Sequence, residues 1–183
     1  KEKNWKAIEK FIYHFQMTCK QLKYSNNLVI SAPSGLALGG GFEVLVQSDY
    51  VVAHTNIVTG LVETLVGLIP AGGGTTNMLS RWMETQENKK DPDFAPQKVF
   101  DIIGYGKTAS SPMEAMPFKF LLKKDKSIMN RNKLLSVSQD LINEKKDGYK
   151  PPKQSTFNLT GSQVRDKMFQ TLENLFKEKK ILE

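Results

Sequence analysis

GLALGGGFEVLVQSDYVVAHTNIVTGLVETLVGLIPAGGG, residues 35–74, holds nine of the chain's thirteen glycines and two glutamates, Glu43 and Glu63, each set in otherwise apolar sequence. A carboxylate among Phe, Val and Leu is costly to ionise, so its pKa tends to rise and it becomes useful as a proton donor or acceptor. Two such groups converging on one pocket can work as an acid and base pair. The glycines point the same way. The turn Gly39-Gly40-Gly41 leads into a predicted helix, and backbone N–H groups unscreened by a Cβ can meet a negative charge that develops only in a transition state.

Outward from this stretch the chain alternates helix and strand. Residues 28–32 form a short apolar run rich in β-branched residues, a buried strand ended by Pro33. A helix over 41–48 carries Glu43 in its first turn, where the helix dipole favours negative charge, and a second strand covers 49–54. This alternation leaves little room for hairpins and predicts α/β layering. Upstream, Trp5, Ile8, Phe11, Ile12, Phe15, Cys19 and Leu22 fall at helical spacing, which predicts an amphipathic helix over 5–22 with one buried stripe. Cys19 lies on that stripe as a small core residue, since neither histidine is patterned as its partner. His14 falls off the stripe, on the surface. His54 closes the second strand and is structural, because one histidine without ligand spacing to another supports no metal site.

Downstream, Thr75 or Thr76 caps a helix that runs to about Trp82. Residues 83–96 are polar and acidic with two prolines and predict an exposed loop or lid. Val99, Ile102 and Ile103 return to helix, and Ser111 caps another that opens at Pro112. A short extended segment is expected over 118–122, and a helix through Leu134, Val137, Leu141 and Ile142 stops before Gly148. A last helix over 161–180 is expected to bury Val164, Met168, Leu172, Leu175 and Phe176.

Of the 183 residues, 39% are hydrophobic and 25% charged, as in a soluble globular protein. A single cysteine excludes an intramolecular disulfide and fits a reducing compartment. No apolar run approaches the roughly 20 residues of a membrane span and no signal peptide is present, so a cytoplasmic location is expected. The chain opens at Lys1 within a charged helix, which suggests sequence upstream. Its net charge of +7 is uneven: residues 1–116 hold eleven Lys plus Arg against eleven Asp plus Glu, and 117–183 hold fifteen against eight. Residues 1–116 are therefore expected to form the core that carries the glycine turns, and 117–183 a basic helical region. Its lysines are dispersed without aromatic interleaving, a solvated surface with no nucleic-acid partner. Three short motifs lead nowhere. Gly106-Lys107-Thr108 lacks the glycine five places earlier that a phosphate-binding loop needs, since position 101 is Asp. Val44 stands where a GxGxxG pattern needs its third glycine, and Asn158-Leu159-Thr160 has no secretory context to make it a glycosylation site.

The residues Ala37-Leu38-Gly39-Gly40-Gly41-Phe42-Glu43, Asp49, Gly60-Leu61-Val62-Glu63, Gly67, Ile69-Pro70 and Gly72-Gly73-Gly74-Thr75 resemble the crotonase (enoyl-CoA hydratase/isomerase) superfamily over about forty continuous residues. The wording is most similar to the hydratase domain of bacterial multifunctional 3-hydroxyacyl-CoA dehydrogenases, in which that domain is fused to an NAD-dependent one. The resemblance implies an α/β fold with the crotonase (ClpP/crotonase-like) spiral ββα core, N-terminally incomplete here, and a helical C-terminal region. It implies that Glu43 and Glu63 hold one water above a 2-enoyl-CoA and that the N–H of Gly40 receives the thioester oxygen. Gly41 and Gly72 are also placed on the substrate side. The substrate is a coenzyme A thioester, with no bound cofactor and no metal. Assembly as a trimer-type homo-oligomer, or with a complementary upstream segment, is implied as well. The family's leading strands, its second oxyanion donor and most of its CoA groove have no counterpart in this sequence, so weak activity of the chain alone is expected. An enoyl-CoA isomerase is the alternative reaction, and a remnant serving only assembly is the alternative to an enzyme.

Overall fold

The computed structural model describes residues 3–159 and 161–181. Helix α1, Trp5–Lys23, is capped by Asn4, whose side chain accepts the Ala7 N–H at 3.1 Å. Strand β1 (Ile30–Ser31) and strand β2 (Gly35–Leu38) follow, then the short helix α2 (Gly40–Leu45). Strand β3 (Tyr50–His54) and strand β4 (Ile57–Gly60) come next, separated by only Thr55 and Asn56, yet they do not pair with each other. Strand β1 lies parallel to β3, with Ile30 opposite Tyr50, and β2 lies parallel to β4, with Leu38 opposite Gly60. The chain thus switches sheets at Thr55 and Asn56. The α2–β3 segment is the crossover that a parallel pair requires.

Helix α3 (Gly74–Met83) is followed by α4 (Gln86–Lys90) and α5 (Phe94–Gly104). Strand β5 (Thr108–Ala109) adds antiparallel to β4, α6 (Pro112–Ala115) is capped by Ser111, and strand β6 (Lys126–Ile128) adds parallel to β3. Helices α7 (Leu134–Lys145) and α8 (Ser162–Lys177) complete the described chain. Among the described residues there are two three-stranded sheets, ordered β1-β3-β6 and β2-β4-β5.

The main core joins α2, α3 and α5: Phe42 meets Phe120 edge to face at 5.0 Å between centroids, with Met78, Val99 and Ile102 around them. A smaller core sets Val52 of β3 against Leu134 and Leu141 of α7. Asp49 ties three segments together, since its Oδ2 accepts the Val29 N–H at 2.9 Å and the Tyr149 hydroxyl at 3.0 Å. Burial, and then the bond to Asp49, pushes the Tyr149 phenol up to about 12.

The structure corrects several sequence expectations. Helix α1 buries only Cys19. Trp5, Ile8 and Phe11 are exposed, because α1 packs on α2 through its second half. Residues 83–96 are not an exposed loop: Thr85 caps α4 by accepting the Asn88 N–H, the Asn88 side chain accepts the Ala95 N–H, and Ala95 and Pro96 are buried in the first turn of α5. Pro96 fits there because a first-turn residue has no intrahelical N–H bond to lose. Residues 118–122 turn back into the core rather than extending, with Phe120 and Leu121 buried, and the nearby strand is β6. Strands β2, β4 and β5 are short, and their glycines and threonines hide the strand pattern. Helix α8 buries Val164 but leaves Leu172 and Phe176 exposed.

Candidate active site

The parallel pairing of β2 and β4 assembles the site. With Leu38 opposite Gly60, both strands end at one edge, and the Gly39 N–H continues the ladder by donating to the Gly60 carbonyl at 2.9 Å. Beyond that edge one chain turns into α2 and reaches Glu43. The other enters a single 3-10 turn, Glu63–Val66, with Glu63 first. The turn into α2 requires Gly39, which sits at φ 54° and ψ −125°, where a side chain is strained. A Cβ at Gly39 would also lie 3.3 Å from Glu63 Oε1, so the Glu63 carboxylate lies directly against this turn. Glu43 and Glu63 are thereby brought to one place.

The two carboxylates differ sharply in what surrounds them. Glu43 is fully buried and bonded: Oε1 and Oε2 each lie 2.8 Å from the Gly72 N–H, and Oε1 accepts the Gly74 N–H at 2.8 Å. It caps the start of α3, meeting N–H groups that no i−4 carbonyl can reach. Glu63 is half-buried, and neither of its carboxylate oxygens has a hydrogen-bond partner. Burial pushes the Glu63 carboxyl up, and the negative charge of Glu43 adds to the rise. The backbone N–H groups of Glu63 and Val62 offset part of it without forming a hydrogen bond.

Gly40 and Gly41 are exposed and are the first two residues of α2, so their N–H groups have no intrahelical acceptor. Gly72, expected on the substrate side, spends its N–H on Glu43 instead. Its missing side chain has a separate use: a Cβ there would lie 2.8 Å from Phe15 Cζ and 3.0 Å from Glu43 Oε2. The Phe15 ring of α1 therefore lies across Gly72, and its Cζ is 3.6 Å from a Cβ position at Gly40.

Two residues of the site escaped the sequence reading. Phe15 counted only as part of a core stripe. Gln47 is buried, and its side chain donates to the Glu43 carbonyl at 2.8 Å and the Gly72 carbonyl at 3.2 Å while accepting from Asn77 at 3.1 Å. It clamps α2 to the glycine turn before α3, and its one signal was a polar side chain four residues after Glu43 on an apolar helix. Cys19 is buried next to this cluster. Burial, then the Glu43 charge, pushes its thiol up. His54 accepts the Asn56 N–H at Nδ1, so its Nε2 carries the proton and donates to the Met129 carbonyl at 2.8 Å. Both histidine and cysteine are structural. Among the described residues no three His, Cys, Asp or Glu side chains gather closely enough to hold a metal ion, and no helix is long and apolar enough to cross a membrane.

Residues 3–89, which contain the whole of this arrangement, match the enoyl-CoA hydratase/isomerase family. The chain belongs to the crotonase superfamily. It is 32% identical over 159 residues to a Bacillus subtilis protein named "Probable 3-hydroxyacyl-CoA dehydrogenase", which covers 86% of this chain and 20% of that protein. It is 40% identical over 82 residues to the fatty acid oxidation complex subunit alpha of Idiomarina loihiensis, over 40% of this chain and 11% of that one. The chain thus spans about a fifth or less of the length of these relatives. In fold it resembles the crystal structure of an enoyl-CoA hydratase from Bacillus anthracis, with a TM-score of 0.64 at 22% identity, over 96% of this chain and 69% of that one. An enoyl-CoA hydratase from Thermoplasma volcanium gives a TM-score of 0.61 at 17% identity over 95% of this chain and 65% of that one. The architecture is a crotonase α/β core with a helical C-terminal region.

Proposed function

We propose that this crotonase chain carries the acid and base of an enoyl-CoA hydratase, adding water across the double bond of a 2-enoyl-CoA to give a 3-hydroxyacyl-CoA in fatty acid β-oxidation. The observation that carries the reading is the unequal carboxylate pair. Glu43, held by the Gly72 and Gly74 N–H groups, is an anchored acceptor with lone pairs to spare for a water. Glu63, unpartnered and with its pKa raised, is suited to hold a proton and release it. On this reading Glu43 draws a proton from the water as its oxygen bonds to the β-carbon, and Glu63 gives its proton to the α-carbon. The Gly40 N–H meets the thioester oxygen as it gains enolate charge, with Gly41 beside it.

An isomerase moves a proton between two carbons and needs only one carboxylate, so the presence of both favours hydration over isomerisation. Residues 1–116 supply this chemistry on our reading, and 117–183 close the core through Phe120 and strand β6 before the helices α7 and α8. The protein works in the cytoplasm as a homo-oligomer that covers the exposed Trp5 and Phe11. The test is hydration of crotonyl-CoA, followed by loss of its conjugated enoyl absorbance, by the parent chain and by Glu43→Gln and Glu63→Gln. Turnover that persists undiminished in either variant sinks the assignment.

A further inference from the structure

A cleft of about 700 Å³ runs between α1 and the segment that leads from Leu68 into α3. Its two walls run in register. Phe15 of α1 lies on Gly72, and two turns further on Lys23 feels the charge of Arg81 at the far end of the facing segment. The cleft therefore begins beside the candidate site and leads away from it. Its walls are mainly apolar, from Ile12, Met17, Ile69 and Pro70, with the polar Gln16 and Thr76 among them. Its far end holds Lys20 and Lys23.

Burial is the first cause that lowers the Lys23 ammonium, and the charges of Arg81 and Lys124 press it the same way, with Asp49 and Glu84 each opposing them more weakly. Arg81 is fixed in place by donating to the Lys119 and Phe120 carbonyls at 2.7 and 2.8 Å, and burial pushes it down to about 10. Neither Lys20 nor Lys23 forms an ion pair among the described residues. A saturated hydrocarbon tail laid along this cleft would strip water from Lys23 and offer nothing in return, whereas an anion would be drawn to it.

We propose that the cleft takes the acyl group of a CoA thioester whose far end is a carboxylate, with the methylene chain against Ile12 and Ile69 and the carboxylate between Lys20 and Lys23. This rests on the hydratase reading, which places the thioester at Gly40. The eight helical residues from Phe15 to Lys23 span about 12 Å, and the lysine reaches back over part of it, so the fit is to an acyl chain of about six to eight carbons.

Isothermal titration with three unreactive ligands tests this: adipyl-CoA, hexanoyl-CoA and CoA alone, each against the parent, Lys23→Met and Lys23→Arg. Adipyl-CoA should bind about tenfold more tightly than hexanoyl-CoA. Lys23→Met should erase that margin while leaving hexanoyl-CoA at least as tight, and Lys23→Arg should retain it. Equal binding of the two acyl-CoAs, or a margin that survives Lys23→Met, overturns the proposal. So does a loss in Lys23→Met shared by CoA alone, which assigns the lysine to a phosphate. Failure of all three ligands to bind overturns the hydratase reading as well, whereas crotonyl-CoA hydration without an adipyl preference overturns this inference alone.

Discussion

Glu43 and Glu63 show how one residue type takes two characters from its surroundings. Replacing Glu63 with Gln should lower kcat by about 10²–10⁴, the usual contribution of a positioned acid or base, with little loss of fold. Stability should respond in a defined direction. A carboxyl whose folded pKa lies above its unfolded value binds its proton more tightly in the native state, so its contribution is full below the ordinary carboxylate range. It falls away as pH rises through the raised value. Thermal melts across pH 4–8 should therefore show Glu63→Gln matching or exceeding the parent at neutral pH, by about 1–3 °C, with the gain vanishing in acid. Glu43→Gln should behave differently, losing activity and also about 1–3 kcal/mol of stability, because the amide nitrogen that replaces Oε2 cannot accept the Gly72 N–H and the charge that strengthens the bonds from Gly72 and Gly74 is gone. Urea denaturation at pH 7 separates the two cases. Both glutamates were legible in sequence as acids among apolar neighbours. Which of them is bonded was not, since the donors come from residues 29 and 31 positions away, across a contact between elements.

At the scale of elements, the long helices announced themselves by period, while the strands that build the site did not. Strand β4 is four residues ending in Thr-Gly, and only its pairing with β2 gives it identity. Helix α1 was recognised but its buried face was not. Sequence places Trp5 and Cys19 on the same stripe, and only the crossing with α2 and the glycine turn decides which part of that stripe is covered. That crossing can be tested. A Gly72→Ala change puts a methyl group into the Phe15 ring and should destabilise the chain by about 1–3 kcal/mol. Combined with Phe15→Ala the loss should be less than the sum of the two, a coupling that a double-mutant cycle in urea measures. Strict additivity would show that the ring does not rest on Gly72.

For the whole molecule, the basic excess of 117–183 was plain from composition, and the structure spreads it over α7, α8 and the links between them. Quaternary state was not readable from periodicity, because an apolar stripe looks the same whether its own chain or a neighbour covers it. With Trp5, Phe11, Leu65 and Val66 all exposed, native mass spectrometry should find a multiple of the chain mass. A purely monomeric spectrum at micromolar concentration would contradict this.

The bend at Thr55 and Asn56 lies between two sheets and is exposed, and Glu43 and Glu63 take their places by counting forward from Leu38 and Gly60. Extra residues spliced into that bend would lengthen the interval between the acids without moving either one. Distant cousins are therefore better sought by the two offsets, five beyond one strand end and three beyond the other, than by the interval of twenty.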